Sequence, residues 1–207
     1  MPIKAIIYDL DNTVYPVSAI GDKLFGPLFD LIIASGQHND AIGDIMKAIM
    51  RTPFRLVAQQ HGFSDELTAS GIALQEELEY DNAINTFEDY SEIKNIPADR
   101  YLVTTGFAKM QHSKIKQMGI AEDFEEIHVV DPTKTSKREV FAGILARHNY
   151  LPGEVLVVGD DPESEIAAAK ALGIPTVLYD KNNIHSPEEA DHAISHFRDL
   201  KTIFENR

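Results

Sequence analysis

Short apolar runs alternate along the chain with longer helical patterns. The run Ala5–Tyr8 is rich in β-branched residues, is apolar throughout and leads directly into an acidic turn. Such a run is typical of a strand in a parallel sheet that is covered by helices on both faces. Four further runs have the same character and are predicted strands: Tyr101–Val103, Ile127–Val130, Val155–Val158 and Thr176–Leu178.

Helical periodicity fills the intervals between these strands. Helices are predicted over Ala108–Met118, Arg138–Asn149 and Glu163–Leu172, and Gly119 and Gly173 supply C-terminal stops for the first and the third.

The last part of the chain adds two further elements. Ala193–Ile194 is predicted to be an edge strand, and Ser195 is predicted to cap a last helix that runs to about Phe204. Strands that alternate with helices in this way predict an α/β fold, with a doubly wound, Rossmann-like parallel sheet and right-handed crossovers.

The interval between the first two strands is too long for a single crossover. Its helical patterns, such as Ala41–Met50 and Leu67–Leu78, are broken by glycine and proline, and it contains no convincing strand. We therefore expect residues 15–95 to form a helical insert that packs as its own layer. Residues 1–14 and 96–207 are then expected to form the α/β core.

Polar residues follow each of the first four predicted strands. In open parallel sheets ligands bind beyond the carboxyl ends of the strands, so these residues are expected to meet at one edge. They are Asp9, Asp11, Asn12 and Thr13 after the first strand, Thr104 and Thr105 after the second, Asp131, Lys134 and Lys137 after the third, and Asp160 and Asp161 after the fourth.

The acids that follow the first and fourth strands predict a metal site. They cannot all be ionised close together in a partly desolvated crevice without a cation, because each close pair of like charges repels strongly. Oxygen ligands without nearby His or Cys favour Mg²⁺, which also accepts a phosphate oxygen. Lys137, at the start of a helix, and the Thr104 hydroxyl supply the positive charge and the hydrogen-bond donor that a phosphoryl group needs.

Composition narrows the possible functions. The chain has 207 residues, with 33 acids against 19 Lys and Arg, and a formal charge of −14. Its negative field disfavours nucleic acid polymers and membrane surfaces as partners, and a monomer or homodimer is expected. No Cys is present, which excludes a disulfide scaffold, a zinc ribbon and a cysteine nucleophile and is compatible with the cytoplasm. No apolar stretch approaches a signal peptide or the ~20 residues of a membrane span.

Four segments in order along the chain carry a family resemblance. IIYDLDNT, LVTT, SKREVF and VVGDD resemble the four signature motifs of the haloacid dehalogenase superfamily, in which Mg²⁺-dependent phosphatases predominate. The match spans nearly the whole chain. The insert after the first motif resembles the helical cap of the first cap class, and DLDNTVYP is similar to the pyrimidine 5′-nucleotidase-like branch.

The resemblance implies a two-step phosphoryl transfer. Asp9 would attack phosphorus and become an aspartyl phosphate. Asp11 would protonate the leaving alcohol and then accept a proton from the hydrolytic water, and its acidic neighbours are expected to raise its pKa. The dehalogenases of the superfamily lack this second acid, so Asp11 favours a phosphatase.

The resemblance also implies the binding residues. Glu165 stands where a second metal-binding Asp is usual, Thr105 stands where Asn is frequent, and Lys137 is preferred to Lys134 because of its spacing and its place at the helix start. The implied metal ligands are Asp9, Asp11 through its carbonyl, and Asp160, with support from Asp161 or Glu165; the implied ligands of the phosphoryl oxygens are Thr104 and Lys137. Thr105 is a further candidate for substrate binding, and Tyr15 can either line the substrate pocket or pack in the core or hinge.

The function predicted from the sequence is therefore a phosphomonoesterase for a small phosphorylated metabolite, such as a nucleoside 5′-monophosphate or a sugar phosphate. The alternatives are a phosphoryl-transferring mutase of the same superfamily and a non-catalytic phosphate-binding module. Arg51 and Arg55 in the insert can either reach an anionic substrate or pair with nearby acids.

Overall fold

A six-stranded parallel sheet forms the centre of the structure, a computed structural model that describes residues 2–39 and 41–206. The strand order is β3-β2-β1-β4-β5-β6, and every neighbouring pair is parallel. This confirms the predicted α/β fold and each predicted strand. The strands are β1 Ala5–Tyr8, β2 Asp99–Thr105, β3 Glu126–Val130, β4 Val155–Gly159, β5 Thr176–Tyr179 and β6 His192–Ile194.

The alternation of side chains along each strand divides the core between the two faces of the sheet. Ile6 and Tyr8 of β1 belong to one apolar cluster, and Ala5 and Ile7 belong to the other. The first cluster continues into buried residues of the segment between β1 and β2, such as Leu28, Ile45 and Phe54. That segment therefore shares a continuous apolar core with one face of the sheet.

Helices occupy the long segment between β1 and β2, as predicted. Its described residues contain no strand, only an isolated bridge between Asp11 and Tyr15. The helices are α1 Gly21–Leu24, α2 Gly26–Ser35, α3 Ile42–Ile49, α4 Phe54–Gln60 and α5 Asp65–Glu77, of which α3 and α5 match the two predicted patterns.

The later helices are α6 Ala108–Met118, α7 Lys137–His148, α8 Ala167–Lys170 and α9 Phe197–Glu205. Gly119 ends α6 with a φ of 67°, as its left-handed position requires. Of the described residues, no helix is both long and apolar enough to cross a bilayer.

Two helix boundaries differ from the prediction. The helix predicted from Glu163 begins with a π-helical turn, Pro162–Ile166, before the short α8. Ser195 is not the cap of the last helix: α9 begins at Phe197, and His196 accepts a hydrogen bond from the Arg198 N–H at its Nδ1 (3.1 Å). Histidine is not among the usual N-cap residues, and a prediction from N-cap propensity therefore selects the neighbouring Ser195.

The register of β1 positions the site. Tyr8 pairs with Leu102 of β2 and with Val158 of β4. The residues that follow these three strands therefore lie side by side at one edge of the sheet, which brings Asp9 next to Thr104 and Asp160.

The packing of α5 on α4 depends on Gly71. A Cβ at this position would lie 2.3 Å from the Phe54 ring, whereas a Cβ at Gly43 in α3 would meet nothing within 4 Å. We predict that Gly71→Ala lowers the free energy of unfolding by about 1–3 kcal/mol, because the buried ring must shift. The matched variant Gly43→Ala should be neutral or slightly stabilising. Equal midpoints for the two variants in urea denaturation would contradict this packing.

Candidate active site

A buried lysine joins two acids from different strand ends. The Lys137 ammonium donates to Asp9 Oδ1 (2.6 Å) and to Glu165 Oε2 (2.7 Å). Burial by itself lowers the pKa of Lys137, but the two carboxylates raise it well above its ordinary value, so the ammonium stays charged. The arrangement brings together Asp9 and Lys137, two of the residues selected from the sequence.

The start of α7 fixes the position of this lysine. Ser136 caps the helix by accepting from the Glu139 N–H (3.3 Å), and Glu139 in turn accepts from the Ser136 N–H (2.9 Å). This capping box is readable in the sequence as Ser-Lys-Arg-Glu. Lys134, the alternative lysine, is exposed and pairs instead with Asp131 (2.8 Å).

Three carboxylates form a compact group beside the lysine. Asp9, Asp160 and Glu165 each offer an oxygen, and these oxygens lie within 4.8 Å of one another. Burial raises the pKa of Asp9 to about 7, although Lys137 counteracts it. Burial, and then the charges of Asp9 and Glu165, raise the pKa of Asp160 to about 9. One ammonium does not balance three carboxylates, and an all-oxygen donor set of this size fits a hard divalent cation such as Mg²⁺.

Glu165 reaches this group because of the π-helical turn and a glycine. Its Oε1 accepts a hydrogen bond from the Asp161 N–H (2.7 Å). A Cβ at Gly159 would lie 2.1 Å from the same oxygen, so only glycine leaves room for the carboxylate against the strand end. The Asp161 carboxylate accepts instead from the Glu163 N–H (2.8 Å), and it is not part of the three-carboxylate group found among the described residues.

Asp11 lies in a different electrostatic environment from Asp9. Lys114 donates to both of its oxygens (2.9 and 3.1 Å), the Tyr15 hydroxyl donates to Oδ1 (2.5 Å) and Gln111 donates to Oδ2 (2.9 Å). Burial opposes ionisation, but Lys114 and these hydrogen bonds lower the pKa of Asp11 overall. The expectation that acidic neighbours raise its pKa is therefore wrong for this arrangement, because a buried lysine is its nearest charge.

Gln111 connects Asp11 to the second strand end. Its Nε2 also donates to Thr104 Oγ1 (2.7 Å) and to the Thr105 carbonyl (3.0 Å). Gly106 permits this approach, since it has a φ of +148° and its Cβ position lies 3.2 Å from the Gln111 side chain. Thr104 thus lies beside Asp11, whereas Thr105 contributes its backbone to the network.

Sequence reasoning missed Gln111 and Lys114. They lie three positions apart on α6, the helix that follows the second motif, and therefore share one face of this helix. Both are buried although both are polar, but burial of this kind is not visible in a sequence. Tyr15, predicted to line the substrate site, is also fully buried, and its hydroxyl is directed at Asp11.

The chain is similar to known hydrolases, two phosphatases among them. The sequence model of a protein family described as haloacid dehalogenase-like hydrolase matches residues 6–179. A glyceraldehyde 3-phosphate phosphatase from Methanopyrus kandleri is 23% identical over 195 residues, which cover 84% of this chain and 83% of that protein. A ribulose-1,5-bisphosphate 5-phosphatase from Halopiger xanaduensis is 29% identical over 109 residues, which cover 51% of this chain and 46% of that protein.

The fold has a solved counterpart over nearly its full length. The crystal structure of a phosphatase of the same superfamily from Thermococcus onnurineus superimposes with a TM-score of 0.67 and 19% identity, covering 97% of each chain. At this identity the likeness shows the shared fold.

The three-carboxylate group predicts a specific response to Mg²⁺. We expect Mg²⁺ to raise the thermal midpoint, by the equivalent of about 2.7 kcal/mol at one hundred times its dissociation constant. Asp160→Asn should abolish most of this shift and should stabilise the metal-free protein above about pH 9, where the Asp160 carboxyl is ionised and repels its neighbours. The matched variant Asp161→Asn should keep the shift, since asparagine can still accept from the Glu163 N–H. Loss of the shift only in Asp161→Asn would contradict the assignment.

The same group predicts a pH dependence. In the metal-free protein the pKa values of Asp9 and Asp160 are raised from the ordinary 3.8 to about 7 and about 9. Between the ordinary pKa of 3.8 and these raised values, the folded state binds more protons than the unfolded state. The free energy of unfolding should therefore fall as pH rises through this range. Protons compete with the metal at low pH, and the Mg²⁺-induced shift should therefore grow from about pH 6 to about pH 9. Thermal scans with and without Mg²⁺ over this range measure both slopes.

Proposed function

This chain belongs to the haloacid dehalogenase-like hydrolase family, and we propose from that membership that it is a Mg²⁺-dependent phosphomonoesterase of small sugar phosphates. The observation that carries the proposal is the Asp9–Lys137–Glu165 contact, which places a buried carboxylate nucleophile next to a fixed positive charge. The two phosphatase relatives, which are named for sugar phosphates, support this substrate class over a nucleoside 5′-monophosphate.

The residues fit Mg²⁺ by donor type and by charge. In this proposal Asp9, Asp160 and Glu165 hold the ion with the Asp11 carbonyl, and Asp161 supports them from outside the group. When bound, Mg²⁺ supplies neutralising charge for the phosphoryl oxygens and for the crowded carboxylates.

Asp9 is the proposed nucleophile. Its carboxylate forms a bond to phosphorus, the ester P–O bond breaks, and an aspartyl phosphate results. Lys137 keeps Asp9 anionic and oriented through Oδ1, and with Thr104 it donates to the phosphoryl oxygens. Water then attacks phosphorus and releases inorganic phosphate and the free Asp9 carboxylate.

Asp11 is the proposed proton carrier. Its carboxyl gives a proton to the departing alcohol and later takes one from the attacking water. The lowered pKa matches the second role, since the carboxylate form is the base. A phosphate dianion bound beside it adds negative charge that raises its affinity for a proton, which the first role requires.

The insert between β1 and β2 is the proposed cap. Residues 15–95 would close over the sheet edge and exclude water from the phosphoryl group, while 1–14 and 96–207 form the catalytic core. We expect the protein to act in the cytoplasm, as its cysteine-free composition favours.

The nucleophile has a direct test. With p-nitrophenyl phosphate and Mg²⁺, we expect Asp9→Asn to lower kcat by at least about 10³-fold, because a carboxamide cannot form the aspartyl phosphate. Asp131→Asn makes the same change at a partly exposed strand-end acid and should leave the rate within about 2-fold. Equal rates for the wild type and Asp9→Asn would refute the mechanism.

The proton carrier predicts a dependence on the leaving group. In a rapid-quench measurement of the first turnover, Asp11→Asn should slow release of the alcohol from an alkyl phosphate such as glycerol 3-phosphate by about 10²–10⁴-fold, but release of p-nitrophenolate far less, since p-nitrophenolate departs without a proton. Tyr15→Phe, which removes one hydrogen bond to the same carboxylate, should show the same preference with a smaller effect. An equal loss of first-turnover release from both esters would refute the role of Asp11 as proton donor.

A further inference from the structure

A pocket of ≈ 340 Å³ opens onto Asp160, one of the three clustered carboxylates, and onto Asn12 in the loop after β1. Its walls come from the segment around the end of α3 and from the loop after β5, with Met50 and Phe87 among its apolar residues. A volume of this size is at the lower end for small-molecule sites. The pocket is suited to a small metabolite whose reacting end lies beside Asp160.

The charged residues of this pocket, apart from Asp160, are predominantly cationic. Asp180 is the other acid, and the cationic residues are Lys47, Arg51 and Lys181, with His185 beside them. The chain as a whole carries −14, so this concentration of positive charge runs against its composition. Since the general field repels anions, a local cationic wall is what an anionic ligand requires.

The loop after β5 is organised to present two of these residues. The Asp180 carboxylate accepts hydrogen bonds from the backbone N–H groups of Ile184 (3.0 Å) and His185 (2.8 Å). These bonds close the loop on itself and satisfy the carboxylate with backbone donors. Asp180 therefore stabilises the cationic wall of the pocket.

Among the cations of the pocket, Arg51 has the fewest hydrogen-bond and ion-pair partners. Within residues 2–39 and 41–206 its guanidinium has no hydrogen bond or ion pair, whereas Lys181 is bound to Glu88 at 2.7 Å. Lys47 lies 3.8 Å from Asp44, and both side chains are 83% exposed, so that pair is weak. A guanidinium can bind a phosphate through two parallel hydrogen bonds, which makes Arg51 the principal candidate for recognition.

We propose that the substrate carries a second phosphate group, and that Arg51, assisted by Lys47 and Lys181, binds this group while the first phosphate reacts at Asp9. This inference rests on the proposed function and specifies its substrate class as a sugar bisphosphate. Of the two insert arginines, Arg51 lines the pocket, whereas Arg55 does not.

The kinetic test compares fructose 1,6-bisphosphate with fructose 6-phosphate and fructose 1-phosphate, and measures initial phosphate release with Mg²⁺. Wild-type kcat/KM should favour the bisphosphate by about 10-fold or more, and Arg51→Gln should remove most of this advantage through KM, with the monophosphates changed by less than about 2-fold. Arg51→Lys should recover part of it. Arg55→Gln, the matched control outside the pocket, should preserve the full advantage.

A binding measurement separates this inference from the proposed function. Calorimetry with the Asp9→Asn protein should show that fructose 1,6-bisphosphate binds more tightly than either monophosphate, and that adding Arg51→Gln cancels the difference. If the wild type hydrolyses no ester, the proposed function fails, and calorimetry still decides the role of the pocket. Equal affinities for bisphosphate and monophosphates, or an unchanged difference in the Arg51→Gln protein, would overturn the inference.

Discussion

The ammonium of Lys137, held between Asp9 and Glu165, is the interaction on which the site depends. Removing three carboxylates from water raises the free energy of their ionised forms, and a single lysine balances only one of them. The surrounding structure keeps these groups together nevertheless. Parallel strands bring Asp9 and Asp160 to one edge, a capped helix aims the lysine, and Gly159 leaves room for Glu165. The remaining negative charge makes the group a candidate site for a divalent cation.

The two acids of the first motif are both buried, but their pKa values are shifted in opposite directions. Asp9 shares Lys137 with Glu165, and its pKa is raised, whereas Asp11 has Lys114 to itself together with hydrogen bonds from Tyr15 and Gln111, and its pKa is lowered. Acids only two positions apart thus differ because the third dimension supplies each with different partners. A nucleophile requires the anionic form of Asp9, which a bound cation would favour, and a proton donor requires a bound phosphate dianion to raise the pKa of Asp11.

The charges that line the pocket beside Asp160 are mainly positive, in contrast to the three-carboxylate group. In the proposed function the carboxylate group holds a cation, the reacting phosphate contacts both the cation and Lys137, and the cationic wall binds further negative charge. In the proposed function, the positive residues around the pocket allow this acidic protein to bind an anionic substrate next to its negative carboxylate group.

The sequence by itself determined the strands and most helices, and it selected Asp9 and Lys137, which the structure brings into contact, because strand periodicity, the capping box and the carboxyl-end rule are local or topological. Only the tertiary structure decided that Lys114, 103 residues from Asp11, would be its partner. It also decided that a π-helical turn would bring Glu165, and not Asp161, to the carboxylate group, and that His196 would cap α9. Burial and distance act between residues far apart in the chain, and no local pattern encodes them.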